Sequence, residues 1–490
     1  MKQNLIIAAL LLGTFACDGA GINPPAPQKP GDNDNQPPAT VTSKAVVYVG
    51  ETFGCLTRNF FYDIKDGGKV SEQDAAVLYG DEGMNGIRIP IYGNVKDGKV
   101  VGHPSAGVIE SADYQKVLSS VNAARQYCPD LLVFASKKLS GKTSFADWLK
   151  TDGELDNGKY CGMIIDFLKY MKANDIEVDV LGIDNEMNFN EGNIVPSKYI
   201  AIVNELRTRI EAEGLKMPLF IGPERYNPQK FAAGNWFYDF LSKDGDCGTM
   251  DIYGTHYYPR HHFFSMNRNL RNEVEAAASK GMPFWATEPH WDNEELAKAD
   301  PLGHARMAIC ALWDQTDLGL DAFMWWGYPV EVTDLRSALM HNISGVVYGS
   351  SPIRIEDHDG EATMGTRDYS GKWTDARQKP NNDEVFDNRL HSRAFIRENG
   401  EVNVFFINVK YKSDLGSSSG KSYKNYLVEL DGAEIDGDIK MRQWTDDSPY
   451  TGAAKTIKSS SSASFTADFP SRSITRLTFR VKSRGILIDS

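Results

Sequence analysis

Two apolar stretches of this chain end in a cluster of polar side chains that includes a glutamate. Residues 182–188 read GIDNEMN, and residues 284–291 read FWATEPHW. A buried strand has little use for such polarity, because an unpaired charge in a protein interior is costly, whereas at a strand end the same groups can face a ligand. Hydrolysis of a glycosidic bond with retention needs two such carboxyl groups, one protonated and one ionised, about 5–5.5 Å apart. Glu186 and Glu288 are therefore the candidate catalytic pair.

The elements that must position this pair alternate between short apolar segments and longer helical ones from residue 43 to residue 348. Seven segments read as buried strands: residues 85–92, 130–136, 178–185, 218–222, 250–257, 283–288 and 322–327. A helical pattern follows each of them except the last, and residues 46–60 offer one or two more strands near the start. Such alternation is typical of a parallel sheet that is covered on both faces, and eight units close into a (β/α)8 barrel.

An open doubly wound sheet is the alternative α/β fold. We favour the barrel because polar and aromatic side chains follow the carboxyl ends of most strands, where barrels carry their sites. We assign residues 44–349 to this domain. Three strand–helix units then separate Glu186 from Glu288, so the two carboxylates come from opposite sides of the mouth and can meet across a substrate.

Residues 350–490 have a different character and form our second predicted domain. Residues 350–387 are rich in charge and glycine and read as a long connection. Residues 392–409 read as two strands joined by an Asn-Gly turn, and four more short strands follow without helical periodicity. We predict an all-β sandwich of about a hundred residues, which we expect to brace the barrel because it lacks an obvious row of exposed aromatic side chains.

The first 43 residues carry the features of export. Lys2 precedes an apolar run that is too short to span a bilayer, and small residues lead up to Cys17. We interpret residues 1–17 as a lipoprotein signal peptide with Cys17 as the lipidated residue; an ordinary cleaved signal peptide is the alternative. Residues 18–43, rich in Pro, Gly and Asn, then form a flexible tether. The protein is thus expected to be exported and anchored by lipid to a bacterial outer membrane or cell surface. Anchoring on the periplasmic face of the membrane is the alternative.

The composition narrows the set of partners. The net charge is −13 and no long basic run is present, so nucleic acid and acidic membrane surfaces would be repelled. The five cysteines other than Cys17 are widely spaced and include no CxxC pair, which argues against a disulfide framework and a structural zinc site. We expect an oligo- or polysaccharide substrate, membrane contact through the lipid anchor alone, no nucleic acid, no metal, no cofactor and a monomeric protein.

Several of these motifs resemble those of one group of enzymes, the clan A retaining glycoside hydrolases. If a strand within residues 46–60 is counted as the first, residues 178–185 form the fourth strand, 250–257 the sixth and 283–288 the seventh. Asn185-Glu186 at the end of the fourth strand and Thr287-Glu288 at the end of the seventh carry the resemblance. Residues 134–136 (FAS) and the trailing sandwich make the chain most similar to glycoside hydrolase family 30 and its O-glycosyl hydrolase relatives, here of a bacterial lipoprotein type. The likeness covers residues 45–490. Two departures are Asn-Glu-Met in place of the family's usual Asn-Glu-Pro, and residues 136–138 (SKK) in place of a tryptophan-rich loop.

The resemblance implies roles for individual residues. Glu186 would be the general acid/base and Glu288 the nucleophile, while Asn185 would bond the sugar hydroxyl beside the anomeric carbon. Arg88 would lie beneath the nucleophile and help to keep it ionised; a structural salt bridge in the barrel floor is its alternative. Trp325 is favoured over its neighbour Trp326 as the indole that stacks on the sugar.

Other polar residues near the strand ends are candidates for substrate contact or for metal binding. His256 and Tyr258 share one face of the sixth strand and can bond Glu288 or a substrate hydroxyl, and Trp291 is a further candidate for sugar binding. Residues 260–262 (RHH) would make a poor metal site, because adjacent histidines on an extended chain point in opposite directions. We expect Glu224 to form an ion pair with Arg225 beside it.

The leading hypothesis is retaining hydrolysis of a β-linked glycan, that is, a retaining β-glycosidase or endo-β-glycanase. The alternative is a catalytically inactive glycan-binding surface lipoprotein that keeps the barrel. A metal-dependent barrel hydrolase is disfavoured because the chain lacks an HExxH motif.

Overall fold

The structure is a computed structural model of the 490-residue chain. It describes residues 44–52, 59–81, 83–139, 144–186, 194–226, 236–242, 248–257, 263–289, 320–325, 346–347, 349–357, 360–361, 390–408 and 422–483, together with Leu302, Ala305, Ile309 and Trp313. Among these residues, no helix combines the length and the apolar character that crossing a bilayer requires.

The chain alternates strands and helices in its first part and consists of strands in its last part. The strands are β1 (Lys44–Thr52), β2 (Asn59–Asp63), β3 (Gly86–Ile91), β4 (Val95–Lys96), β5 (Lys99–Val100), β6 (Leu132–Lys137), β7 (Lys150–Thr151), β8 (Glu154–Leu155), β9 (Val180–Gly182), β10 (Leu219–Arg225), β11 (Ile252–Tyr257), β12 (Phe284–Pro289), β13 (Ala322–Trp325), β14 (Ser350–Asp357), β15 (Gly360–Glu361), β16 (Leu390–Arg397), β17 (Glu401–Asn408), β18 (Tyr423–Asp431), β19 (Ala433–Thr445), β20 (Ser448–Ile457), β21 (Ser464–Phe469) and β22 (Ser473–Ser483). The α-helices are α1 (Glu72–Ala75), α2 (Ser111–Arg125), α3 (Asn157–Ala173), α4 (Pro196–Ala212), α5 (Trp236–Leu241) and α6 (Phe263–Ala278). A π-helical turn (Ala76–Asp81) follows α1, and a 3-10 turn (Asp147–Leu149) precedes β7.

Eight parallel strands close into a barrel, which confirms the predicted fold class. Their order around the barrel is β2, β3, β6, β9, β10, β11, β12 and β13, and β13 pairs with β2 to complete the circle. Apolar side chains fill the interior. Trp285 lies at its centre, with ring centroids 5.2 Å from Phe61 and 6.2 Å from Phe134. This packed interior leaves the strand ends at the mouth for polar side chains.

The outer faces of the barrel strands are covered by helices. Helices α2, α3 and α4 each bury one apolar side in the core cluster that contains those outer faces. Leu302, Ala305, Ile309 and Trp313 are helical and buried, at the spacing of one helix face. They lie between the predicted strands at residues 283–288 and 322–327, where the sequence predicts a helical pattern.

The first strand differs from our domain assignment. We placed residues 44–52 in the barrel, whereas β1 pairs with β14 and β18 of the carboxyl-terminal sheet. The physical reason is burial: in β1, partly exposed side chains alternate with buried ones, whereas all six residues of the barrel strands β3 and β11 are buried. A strand with one buried and one partly exposed face fits the sheet of the second domain, which is covered on one side only. The barrel begins instead at β2.

The carboxyl-terminal domain is a mixed sheet of ten strands, with the backbone order β20, β19, β22, β17, β16, β14, β1, β18 and β21, and with β15 beside β16. The predicted hairpin is present as β16 and β17 around Gly400, whose φ is +79°. The sheet folds over itself, because Phe465 of β21 packs against Phe479 of β22, with ring centroids 5.6 Å apart, although several strands separate them in the sheet. The result is the packing of a sandwich.

The two domains share apolar packing. Trp313 packs against Phe405 of β17, with centroids 5.9 Å apart, and the guanidinium of Arg393 lies 5.5 Å from the Trp313 ring. Trp444 and Ile474 of the sheet belong to the same buried cluster as the outer faces of the barrel strands. The β domain therefore packs against the helical layer outside the barrel, and its bracing role stays a prediction.

Candidate active site

Polar side chains from five barrel strands converge at one end of the barrel. Parallel strands deliver their carboxyl ends to the same edge, so residues that are far apart in the sequence meet there. Asp63 ends β2, Glu224 lies near the end of β10, and Glu288 lies near the end of β12. His256 comes from β11, and Glu186 follows β9.

Glu186 and Glu288 face each other across a shared histidine. Nδ1 of His256 lies 3.1 Å from Oε1 of Glu186 and 3.1 Å from Oε2 of Glu288. One oxygen of each carboxylate and a ring nitrogen of His256 all lie within 4.8 Å of one another. An oxygen–oxygen distance of at most 4.8 Å is compatible with the spacing of about 5–5.5 Å between carboxyl groups that double displacement at an anomeric carbon requires. The Glu186 side chain is 14% exposed and that of Glu288 is 4% exposed, so Glu186 is the more open to solvent.

Glu288 is surrounded by cations. Oε1 of Glu288 lies 2.5 Å from Nη1 of Arg88 and 2.9 Å from Nζ of Lys65, and Oε2 faces His256. Burial by itself would raise the pKa of Glu288, but His256, Lys65 and Arg88 together outweigh burial and hold this pKa well below its usual range. The Glu288 carboxyl group is therefore ionised at neutral pH.

Arg88 is the buried hub beneath the site. Its guanidinium is fully buried and contacts three carboxylates: Nη1 lies 3.0 Å from Asp63, Nη2 lies 2.6 Å from Glu224, and Nη1 also bonds Glu288. The two interpretations of Arg88 are thus both met, since it is a floor salt bridge and it touches Glu288. Burial, only partly offset by Arg88, raises the pKa of Asp63 to about 6.

Glu224 corrects one expectation. It does not pair with Arg225; its carboxylate bonds Arg88 and accepts a hydrogen bond of 2.9 Å from Ser136 Oγ, while Arg225 forms a buried ion pair with Glu273 of α6. The reason is that consecutive residues of a strand point to opposite faces, so one side chain enters the barrel and the other faces the helices.

The backbone near Glu224 is shaped to fit this carboxylate. A Cβ atom added to Gly182 would lie 2.1 Å from Oε2 of Glu224, so the position needs glycine. The backbone amide of Glu186 donates to the carbonyl oxygen of Glu224 over 2.9 Å. Glu186 and Glu224 both have positive φ angles, +50° and +45°, a conformation that is unfavourable for residues other than glycine and that is frequent at functional sites.

His256 is held as a cation by its neighbours. Burial lowers the pKa of its imidazole, but Glu288, Glu186 and Glu224 together raise this pKa to about 9. At neutral pH the ring therefore carries a positive charge between the two facing carboxyl groups.

Asn185 and Asp184 occupy different surroundings beside Glu186. Asn185 is buried, and its Oδ1 accepts a hydrogen bond of 2.9 Å from Nζ of Lys65. Oδ1 of Asp184 accepts a bond from the backbone amide of Asn185, and burial raises the pKa of Asp184 to about 7, despite the opposing effect of Lys137. Asp184 thus fixes the backbone at Asn185 through this hydrogen bond.

Some predicted residues cannot be placed. Tyr258, Trp291 and Cys17 lie outside the described residues, as do residues 260–262. Trp325 lies on β13, whose backbone pairs with β2 next to Tyr62; its side chain is outside the described part. The sugar-stacking and lipidation roles of these residues stay predictions.

Two functional groups escaped the sequence analysis. Lys65 contacts Glu288 and Ser136 contacts Glu224, yet neither is among the predicted site residues. The signal for Lys65 was present, because residues 63–66 (DIKD) follow an apolar strand in the same way as the two glutamates do. It was overlooked because the first barrel strand was placed too early in the chain.

The geometry also bears on metal binding. Glu186, His256 and Glu288 offer ligand atoms within 4.8 Å of one another. Arg88 and Lys65, however, already compensate the charge of Glu288, and a divalent ion there would meet two buried cations of like sign. The residues present therefore fit a metal poorly and fit acid–base chemistry well.

Comparison with known proteins gives matches in structure alone. No protein-family model matches the chain, and no curated protein matches it in sequence. A family 30 endoxylanase from Clostridium papyrosolvens C71 superimposes with a TM-score of 0.60 at 16% identity, covering 89% of this chain and 100% of the endoxylanase. A family 30 subfamily 8 xylanase from Clostridium acetobutylicum gives 0.58 at 16% identity, covering 89% and 99%.

An endo-β1,6-glucanase is a further structural relative. It gives a TM-score of 0.55 at 14% identity and covers 92% of this chain and 96% of its own. These superpositions extend over both domains and agree with the closed barrel and the trailing β domain described above. The chain therefore has the fold of a family 30-like glycoside hydrolase.

Proposed function

We propose that the protein is a retaining glycoside hydrolase that cleaves a β-linked glycan by double displacement. In this reaction Glu288 is the nucleophile and Glu186 the general acid/base. One observation carries the proposal: two carboxylates at the barrel mouth approach within 4.8 Å, and one of them is kept ionised by three cations.

The first step forms a bond between Glu288 and the anomeric carbon. Glu288 attacks while Glu186 transfers a proton to the departing glycosidic oxygen, and the bond from that oxygen to the anomeric carbon breaks. Glu288 is suited to this role because its surroundings keep it ionised, and Glu186 because it is the more exposed of the pair and can exchange its proton with water.

The second step releases the sugar. Glu186, now ionised, takes a proton from a water molecule, which attacks the anomeric carbon and returns the electron pair to Glu288. Two inversions give overall retention. His256 lies between the two glutamates and contacts both side chains, which positions them relative to each other.

The substrate class follows from fold and charge. By their names, the structural relatives described above are two xylanases and an endo-β1,6-glucanase. We propose a β-linked oligo- or polysaccharide for this chain as well. We further propose that the protein is exported and held at a bacterial membrane by lipid on Cys17, in support of which stand the apolar run and the small residues before this cysteine.

The test is a comparison of four proteins on a panel of 4-nitrophenyl β-glycosides and of xylans and β-glucans. The wild type should turn over at least one of them. Glu288→Gln should be inactive. Glu186→Gln should lose about 10²–10⁴-fold in kcat/KM on a substrate with a poor leaving group, and much less on a 2,4-dinitrophenyl glycoside, which needs no proton. Glu211→Gln, an exposed change on α4, should behave as the wild type.

Two further readouts separate the roles. Proton NMR of the first-formed product should show the β-anomer. Azide should restore turnover in Glu288→Gly and give the α-glycosyl azide, whereas with Glu186→Ala it should give the β-glycosyl azide. Turnover that survives Glu288→Gln would refute the assignment, and glycan binding without turnover by the wild type would establish the alternative of a glycan-binding lipoprotein.

A further inference from the structure

Lys65 links two groups of the site that the proposed reaction needs. Its side chain is buried, with 1% of the residue exposed. Nζ lies 2.9 Å from Oε1 of Glu288, donates over 2.9 Å to Oδ1 of Asn185, and lies 3.4 Å from Asp66. An ammonium group has three donors and no acceptor, so these contacts account for all its donors.

We propose that Lys65 is a positioning residue of the glycosidase: it selects which oxygen of Glu288 attacks, and it turns the amide NH2 of Asn185 toward the sugar. This inference rests on the proposed function and concerns how the same site achieves it.

The choice of oxygen follows from the unequal surroundings of the Glu288 carboxylate. Oε1 is bonded by both Lys65 and Arg88, while Oε2 faces His256 on the side of Glu186. Two cations withdraw electron density from Oε1 and engage its lone pairs. Oε2 is therefore the oxygen that bonds the anomeric carbon, and Oε1 becomes the carbonyl oxygen of the ester.

The same arrangement assists the second step. When the bond between Oε2 and the anomeric carbon breaks, its electron pair returns to the carboxylate, and negative charge reappears on Oε1 as well. Lys65 and Arg88 already lie at that oxygen, so no group has to move to stabilise the charge.

The orientation of Asn185 follows from the chemistry of lysine. Because an ammonium can only donate, the atom of Asn185 that it contacts must be the amide oxygen. The NH2 group is then the end that remains for a substrate. It can donate to the hydroxyl beside the anomeric carbon, the contact that strengthens in the transition state.

Lys65 is itself held firmly. Its backbone amide donates to Oδ1 of Asp63 over 2.7 Å, and its carbonyl oxygen accepts from Nζ of Lys138 over 3.2 Å. Burial lowers the pKa of Lys65, but Glu288 and the neighbouring acids more than compensate, so the pKa lies above its ordinary value. The side chain is therefore an ammonium at neutral pH.

The test compares Lys65→Met with the wild type on a 4-nitrophenyl glycoside that the panel identifies as a substrate and on its 2-deoxy analogue. Loss of hydrogen bonds to a charged group should lower kcat/KM on the parent glycoside about 10–100-fold. The loss on the 2-deoxy analogue should be smaller, because that sugar cannot use Asn185. The acidic limb of kcat/KM should also move to higher pH, since Glu288 loses one of its cations. Lys116→Met, an exposed change on α2, removes a lysine far from these contacts and should keep the wild-type discrimination between the two sugars.

Each result decides the matter. Wild-type rates and wild-type discrimination in Lys65→Met, or equal losses on both sugars with no shift of the acidic limb, would overturn the inference. Should Lys65→Met fail to fold, Lys65→Cys treated with 2-bromoethylamine restores an ammonium of the same length and should recover activity; no recovery, with treated wild type unchanged, would also overturn it. Absence of turnover in the wild type, or turnover in Glu288→Gln, would instead refute the proposed function.

Discussion

Glu288→Gln should change the protonation of His256, and this change can be measured without any substrate. In the wild type, two facing carboxylates and Glu224 raise the pKa of the imidazole to about 9, against the effect of burial. Glutamine keeps the size and the hydrogen-bonding oxygen of the side chain and removes its charge. The substitution therefore isolates the Coulombic part of the interaction.

The expected size of the effect follows from the geometry. Nδ1 of His256 lies 3.1 Å from Oε2 of Glu288, and at an effective dielectric constant of about 20 two unit charges at this distance attract by about 5 kcal/mol. This is an upper bound and corresponds to almost four pKa units. With that attraction gone and burial unchanged, the pKa of His256 should fall from about 9 to its ordinary value of about 6.5 or below.

The assay is 15N NMR of protein labelled in its histidine rings. The chain has nine histidines, and the signal of interest is the one that is missing in His256→Asn. At pH 7.5 the wild type should show an imidazolium at this position, and Glu288→Gln a neutral ring. Glu211→Gln serves as the control for charge removal elsewhere. A pKa for His256 that is the same in the wild type and in Glu288→Gln would refute the electrostatic reasoning.

The stability of the protein should carry the same signature. Because the folded-state pKa of His256 lies above its unfolded value, its contribution to stability is fully present below about pH 6.5 and is lost as the pH rises through about 9. A shift of this size corresponds to about 3 kcal/mol. The difference in free energy of unfolding between the wild type and His256→Asn should shrink by about that amount between pH 6 and pH 10, and a difference that is independent of pH would contradict the assignment.

Three other predictions concern the frame of the site and the anchor. Arg88→Met leaves three buried carboxylates without their common cation and should lower the free energy of unfolding by about 3–5 kcal/mol in chemical denaturation; a loss below about 1 kcal/mol would contradict the role of hub. Gly182→Ala places a methyl group against the carboxylate of Glu224 and should lower the free energy of unfolding by about 1–3 kcal/mol. Gly162→Ala, in helix α3, should raise it by up to about 1 kcal/mol. A Gly182→Ala protein as stable as Gly162→Ala would show that Glu224 can move aside without cost. Cys17→Ser should abolish labelling with radioactive palmitate in a bacterial host, and label that persists would exclude Cys17 as the acceptor.

The barrel was predictable because its strands are buried on both faces. Uninterrupted apolar runs such as residues 131–135 (LLVFA) contrast with the amphipathic helices between the strands, and this contrast is visible without any knowledge of the tertiary structure. The two candidate catalytic glutamates were equally predictable, since each lies within three residues of the end of such a run. For Lys65, the same signal was obscured because the first barrel strand was placed too early in the chain.

The pairing of Glu224 was predictable in principle and was missed for a local reason. Adjacency in sequence suggested Arg225, although neighbours on a strand cannot share a face. The real partner, Arg88, lies 136 positions away and becomes visible only when the barrel is closed. Long-range ion pairs of this kind depend on strand order and register, which the sequence does not state directly.

The place of β1 was the hardest to foresee. The apolar content of β1 resembles that of a barrel strand. The decisive difference is that one face of β1 is partly exposed, which is possible in the sheet of the second domain but not in the barrel. Neither of its neighbours in the sheet is near it in sequence. An assignment that divides the chain into continuous segments cannot place an early strand in a domain formed mainly by later residues.

The position of β1 also dictates when the molecule can be completed. Tyr48 bonds Glu356, 308 positions later, and Lys44 bonds Glu429, 385 positions later. A polypeptide that emerges from a ribosome or a secretion pore with its amino terminus in front must therefore carry an unpaired strand until almost the whole chain is out. A barrel fragment cut as residues 44–349 would contain β1 without its partners β14 and β18, and the unpaired strand would favour aggregation. A fragment that begins after Thr52 would omit this strand.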